Sequence, residues 1–139
     1  MYTNNNELTK AIKVLLIEDD EDDFVIVKEL LGGIPDKSFK MTWASTYQDS
    51  IEFLKQNNHD VCLLDYRLGV HDGIELLNIA NESGISMPII FLTGQGEYTV
   101  DIEVMKLGAS DYLVKDSLTS ALLERAIRYS IERAITATK

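Results

Sequence analysis

The sequence predicts an α/β domain: a doubly wound parallel sheet of five strands, with helices on both faces. Three observations predict it. Five short apolar runs recur along the chain: Val14-Leu15-Leu16-Ile17, Phe39 to Ala44, Val61-Cys62-Leu63-Leu64, Ile89-Ile90-Phe91-Leu92 and Tyr112-Leu113-Val114. Most of them lack polar alternates, as strands buried on both faces do. Segments with apolar residues at helical spacing separate the runs, and such alternation calls for parallel strands joined by right-handed crossovers.

The elements follow in order. The first run stops at acids, Glu18-Asp19-Asp20. Phe24, Val27, Leu30 and Leu31 then mark a helix, closed by Gly32-Gly33 as cap and turn. After the second run, Ile51 and Leu54 mark a short helix. After the third, Ile74, Leu77, Ile79 and Ala80 mark a helix that stops near Gly84. After the fourth, Val100, Val104 and Leu107 mark a helix that ends at Gly108. The last stretch, Leu118 to about Ile135, reads as a long amphipathic helix. Residues 1–11 are polar and asparagine-rich, and a flexible leader is expected there, with one domain over 12–136.

Composition narrows the function. The 139 residues suit one domain. A chain of this size buries roughly two-thirds of its unfolded surface, so it needs no disulfide or metal staple. Acids number 23 and bases 13, giving a net charge of -10. That balance argues against nucleic-acid or anionic-membrane binding, both of which need basic patches. The longest apolar runs, such as Pro88 to Leu92, are too short to span a bilayer. No basic-then-apolar segment opens the chain, so no secretory signal is expected. The single cysteine, Cys62, excludes an internal disulfide and suits a reducing compartment, hence the cytoplasm.

In a doubly wound sheet, ligands bind beyond the carboxyl ends of the strands. Glu18, Asp19 and Asp20 follow the first strand, Asp65 the third, Thr93 and Gly94 the fourth, and Lys115 the fifth. Each alone has a plain reading as helix cap, turn residue or surface amine. All of them falling on one edge is what points to function. Crowded carboxylates repel by up to about 4 kcal/mol per pair at 4 Å in a surface-like dielectric. A divalent cation removes that repulsion, and oxygen-only donors suit magnesium. Carboxylate, hydroxyl, free amide and ammonium around such an ion make a phosphoryl-transfer site.

Four segments resemble the receiver domain of two-component response regulators: Leu15 to Asp20, Asp65 to Gly73, Leu92-Thr93-Gly94, and Gly108 to Lys115. The resemblance runs from about residue 12 into the final helix. It implies the flavodoxin-like strand order 2-1-3-4-5. It also implies that Asp65 is the phosphoacceptor, that Asp19 ligates magnesium directly and Glu18 mainly through water, and that Arg67 lends its backbone carbonyl. Thr93 and the Gly94 amide would bind phosphoryl oxygens, Lys115 would pair with Asp65 or its phosphate, and Tyr112 would be the switch aromatic. The implied partners are a sensor histidine kinase or phosphotransfer protein, and an output domain or downstream protein. Neither nucleic acid nor membrane is expected to bind this domain. A homodimer through the fourth helix, fifth strand and fifth helix is a further expectation, with Ile131 and Ile135 as late apolar positions needing another surface.

Two residues depart from the family's usual pattern. Gly69 and Asp116 stand where proline is common. A cis bond before a non-proline residue costs about 2.5–4 kcal/mol, so a trans Lys115–Asp116 bond is expected. No enzymatic turnover is expected beyond the domain's own phosphorylation and autodephosphorylation. A magnesium-dependent phosphohydrolase using an aspartyl phosphate would need a second acid two residues after the nucleophile, where Arg67 stands. A receiver used only for docking would lack one of the site residues, and all are present. Trp43 reads as a sheet or core aromatic, His59 as a solvated loop residue, and His71 as a loop residue without an assigned role.

Overall fold

The computed structural model describes residues 10–137. Most of the expected leader, residues 1–9, lies outside the described residues. The elements are β1 (Ile12–Ile17), α1 (Glu21–Gly32), β2 (Phe39–Ala44), α2 (Tyr47–Gln56), β3 (Val61–Asp65), β4 (Arg67–Leu68), β5 (His71–Asp72), α3 (Gly73–Glu82), β6 (Ile89–Thr93), α4 (Tyr98–Lys106), β7 (Asp111–Val114) and α5 (Ser120–Ala137).

Five strands form one parallel sheet in the order β2-β1-β3-β6-β7, the doubly wound order expected. Side-chain alternation splits each central strand between two cores. Leu15 and Ile17 of β1, Cys62 and Leu64 of β3, and Ile89 and Phe91 of β6 face the core under α2, α3 and α4. Val14 and Leu16, Val61 and Leu63, and Ile90 and Leu92 face the core under α1 and α5. Both faces are dry, which is why these strands are apolar throughout.

Local signals fix the helix starts. The Asp20 carboxylate accepts from the Asp22 amide at 2.9 Å and caps α1, whose first turn carries Glu21, Asp22 and Asp23. Thr46 caps α2. Asp72 and Glu75 form a reciprocal capping box on α3. At the other end of α1, Gly33 has φ -86°, so the cap there is right-handed and does not exploit glycine's freedom.

The small antiparallel hairpin β4–β5 has no counterpart among the expected strands. It folds the loop after Asp65 back on itself, and the Gly73 amide donates to the Tyr66 carbonyl at 2.7 Å. Gly69 sits at its tip with φ +67°. Proline is locked near -65° and cannot take that conformation, so the departure from the family pattern has a backbone cause. The Lys115–Asp116 bond is trans, as expected, since the described residues contain no cis peptide bond.

In α5, Leu123, Ala126 and Ile127 are buried. Ile131 packs against the same core, so this late position finds its surface within the chain, contrary to the expectation for it. Ile135 is 55% exposed. His59 also differs from expectation. It is half-buried, its Nε2 lies 2.9 Å from Thr42 Oγ1, and its ring meets Phe53 edge-on. No helix of the described residues is long and apolar enough to cross a membrane.

Candidate functional site

The sheet turns sequence spacing into convergence. Asp65 closes β3 beside Leu92, and Thr93 closes β6 beside Val114. Glu18 and Asp19 follow β1, and Lys115 follows β7. All these residues meet at the carboxyl edge.

Lys115 is the hub. Its ammonium lies 3.1 Å from Asp65 Oδ1, 3.0 Å from Glu18 Oε1 and 2.7 Å from Asp23 Oδ2. Burial alone would lower its pKa, but the hydrogen bond to Asp23 and the charges of Asp65 and Glu18 outweigh burial and raise it. Lys115 therefore stays an ammonium across the physiological range.

The acids are dry. Glu18 is 1% exposed and Asp65 5%. Burial, then the hydrogen bond and charge of Asp65, push Glu18 from 4.5 up to about 8, with Lys115 opposing. Burial also raises Asp65, against the hydrogen bond from Glu18 and the charge of Lys115. The surroundings thus favour a proton on Glu18, because two like charges this close cannot both ionise cheaply. Glu18, Asp19 and Asp65 each offer an oxygen, and these oxygens lie within 4.8 Å of one another. A divalent cation would displace that proton, and the oxygen-only donor set fits a hard cation such as magnesium.

The residues expected to bind phosphoryl oxygens sit at the end of the neighbouring strand. Thr93 is fully buried, and its hydroxyl has no hydrogen-bond partner among the described residues. Leaving a buried hydroxyl unpaired costs about 1–3 kcal/mol, a penalty relieved when an oxygen arrives. The Gly94 amide donates to Glu97 Oε1 at 2.8 Å, and Glu97 Oε2 lies 3.0 Å from Arg67 Nη2. Arg67 thus pairs with Glu97, with its side chain 75% exposed. Tyr112, on β7, pairs in register with Phe91 of β6 and is exposed. His71 stacks on Tyr47 with ring centres 3.9 Å apart, and its Nδ1 is 3.3 Å from Glu75 Oε2.

Two residues of this environment carried no assignment from sequence, and a third, Trp43, was read only as a sheet or core aromatic, which its place in β2 bears out. Asp23 lies one helical turn after Asp19, on the face that looks back at the site, but the run of acids concealed it. Glu97 is three residues beyond Gly94, a spacing that a turn can close. Trp43 donates its indole N–H to the Glu18 carbonyl at 2.6 Å and stacks on Phe24. Only the strand register, which pairs Ile17 with Ala44, reveals that contact.

Fold and site together define a class: a doubly wound α/β domain with an acidic, lysine-bridged cluster built from strand ends. The chain belongs to the response regulator receiver domain family of two-component signal transduction, whose pattern it matches over residues 14–127. It is 39% identical over 101 residues to the Transcriptional regulatory protein SrrA of Staphylococcus aureus, covering 73% of this chain and 41% of that protein. It is 30% identical over 114 residues to the Transcriptional regulatory protein DltR of Streptococcus agalactiae, covering 82% and 50%. The chain therefore spans half or less of the length of these curated relatives. Full-length FixJ from B. japonicum is similar in structure, with a TM-score of 0.81 and 29% identity over 94% of this chain and 62% of that one. A receiver domain protein from Clostridium thermocellum gives 0.78 and 28%, over 91% and 98%.

Proposed function

We propose that this domain accepts a phosphoryl group on Asp65 from a histidine kinase or phosphotransfer protein and switches partner binding in response. The observation that carries the reading is the contact of Lys115 with Asp65 and Glu18, inside a carboxylate cluster of the right size for a cation. Glu18, Asp19, Asp65 and the Arg67 carbonyl would hold magnesium, which when bound supplies positive charge to the phosphoryl oxygens.

The chain's own residues do the rest. An Asp65 carboxylate oxygen attacks phosphorus in line, and the bond from phosphorus to the donor nitrogen, or to the carboxylate oxygen of an acyl phosphate, breaks. The leaving group departs with that electron pair. Lys115 moves with the charge from carboxylate to phosphoryl oxygen, and Thr93 and the Gly94 amide bind the remaining oxygens. Moving Thr93 inward opens space that Tyr112 fills, changing the face of α4, β7 and α5 where an output domain, a downstream protein or a second copy docks. The domain turns over no external substrate. Its seat is the cytoplasm, in keeping with the lone buried Cys62.

Incubation with acetyl phosphate and magnesium should add one phosphoryl mass. Asp65→Asn should abolish the addition, and Asp19→Ala should cut it sharply. Labelling of Asp65→Asn at the wild-type rate would overturn the assignment.

A further inference from the structure

The amide expected to receive a phosphoryl oxygen already has an anionic partner. The turn after Thr93 runs Gly94-Gln95-Gly96-Glu97, closed by the Glu97 amide on the Gly94 carbonyl at 3.3 Å. Gly96 has φ +89°, which suits the third position of a type II turn and all but requires glycine. The turn brings the Glu97 side chain back over its own start. Both of its oxygens are engaged: Oε1 accepts from the Gly94 amide at 2.8 Å, and Oε2 lies 3.0 Å from Arg67 Nη2. The Glu97 side chain is only 12% exposed, so this is a seated carboxylate. Although Glu97 precedes α4 as its cap residue, its side chain makes no capping hydrogen bond there. Glycine at 94 is what allows the seat, because a Cβ at that position would stand 2.8 Å from Glu97 Oε1.

We propose that Glu97 is a built-in competitor of the phosphoryl group: a carboxylate that occupies the Gly94 amide, is latched by Arg67, and must leave before Asp65 can hold phosphate. This inference rests on the Asp65 reading. The chemistry of the two anions is the same where it matters, an oxygen that accepts from one amide N–H. One donor serves one of them well, and two anions at the same edge repel. Displacement of Glu97 also frees the Arg67 guanidinium to cover the arriving group. Glu97 acts as a positioning residue, setting how readily phosphate is taken up and how long it stays.

The test is a phosphorylation time course with acetyl phosphate and magnesium, at donor concentrations well below saturation. Glu97→Ala should raise the second-order rate constant about five- to tenfold, the scale of one charged hydrogen bond net of its competitor, and should slow phosphoryl loss. Glu97→Gln, which keeps the shape and a weaker acceptor, should fall between wild type and Glu97→Ala. Gly94→Ala keeps the amide but crowds the carboxylate out, so it should also accelerate uptake. The double variant should gain no more than Glu97→Ala alone, a non-additivity that a general packing role does not produce. Unchanged or slower uptake in both Glu97 variants, with Asp65 still labelled, would overturn the proposal. Loss of Asp65 specificity, seen as labelling of Asp65→Asn, would instead overturn the reading beneath it.

Discussion

Glu18→Gln isolates the cost of holding the acidic cluster together without a cation. Glu18 is 1% exposed, and burial followed by the Asp65 carboxyl pushes it from 4.5 up to about 8. Its folded-state value lies above its unfolded one, so the folded chain prefers the proton. The associated stability is fully present below about pH 4.5 and is lost as the pH climbs through about 8. Integrated from pH 5 to pH 8, that shift removes roughly 3 kcal/mol from the wild type. Glutamine has nearly the same shape and does not titrate, so it removes this component. Urea unfolding in a chelator at several pH values measures both chains. The difference between them should change by roughly 3 kcal/mol in favour of the glutamine chain as the pH rises from 5 to 8. Magnesium at saturating concentration should recover much of the wild-type loss at pH 8, and less in the variant, which lacks one of the acids. Parallel pH curves for the two chains would refute the reasoning, because Glu18 would then titrate alike folded and unfolded.

Further outcomes follow from the same geometry. Arg67→Ala should change the autodephosphorylation rate several-fold with the fold intact by circular dichroism; an unchanged rate removes its guanidinium from the mechanism. Tyr112→Ala should keep Asp65 labelling and Thr93→Ala should slow it without moving it to another residue, and both should weaken its coupling to partner binding or self-association, read by titration with a phosphoryl mimic. Truncation after Tyr129 should leave Asp65 chemistry in place. It should cost stability in urea, because it removes Ile131 from the core under α1 and α5 as well as Ser130, whose hydroxyl bonds Ser110 Oγ at 2.8 Å.

The main sheet was legible because its strands are buried on both faces. Val14 to Ile17, Val61 to Leu64 and Ile89 to Leu92 have no polar residue to confuse the period, and glycines close α1 and α3 between them. Site positions were legible for a related reason: a strand's last residue and its successor are fixed to one edge, whatever the loops do. The hairpin β4–β5 was not legible, because two residues per strand carry no periodicity and the signal rests on one positive φ at Gly69. The partners of the site residues were hidden for a different reason. Asp23, Glu97 and Trp43 reach the cluster through a helix turn, a loop turn and a neighbouring strand, and sequence distance says little about such contacts. Arg67 shows the consequence. From sequence it is assigned only its backbone carbonyl, whereas the folded chain pairs its side chain with Glu97.

The most direct measurement is chemical trapping of the phosphorylated residue. After reaction with acetyl phosphate and magnesium, borohydride reduces an acyl phosphate to an alcohol and leaves free carboxylates alone. Peptide mapping then reads the position. The reduced residue should be Asp65, in a magnesium-dependent yield that falls away in a chelator and vanishes in Asp65→Asn. Reduction at another carboxylate, or an Asp65 yield indifferent to magnesium, would contradict the account.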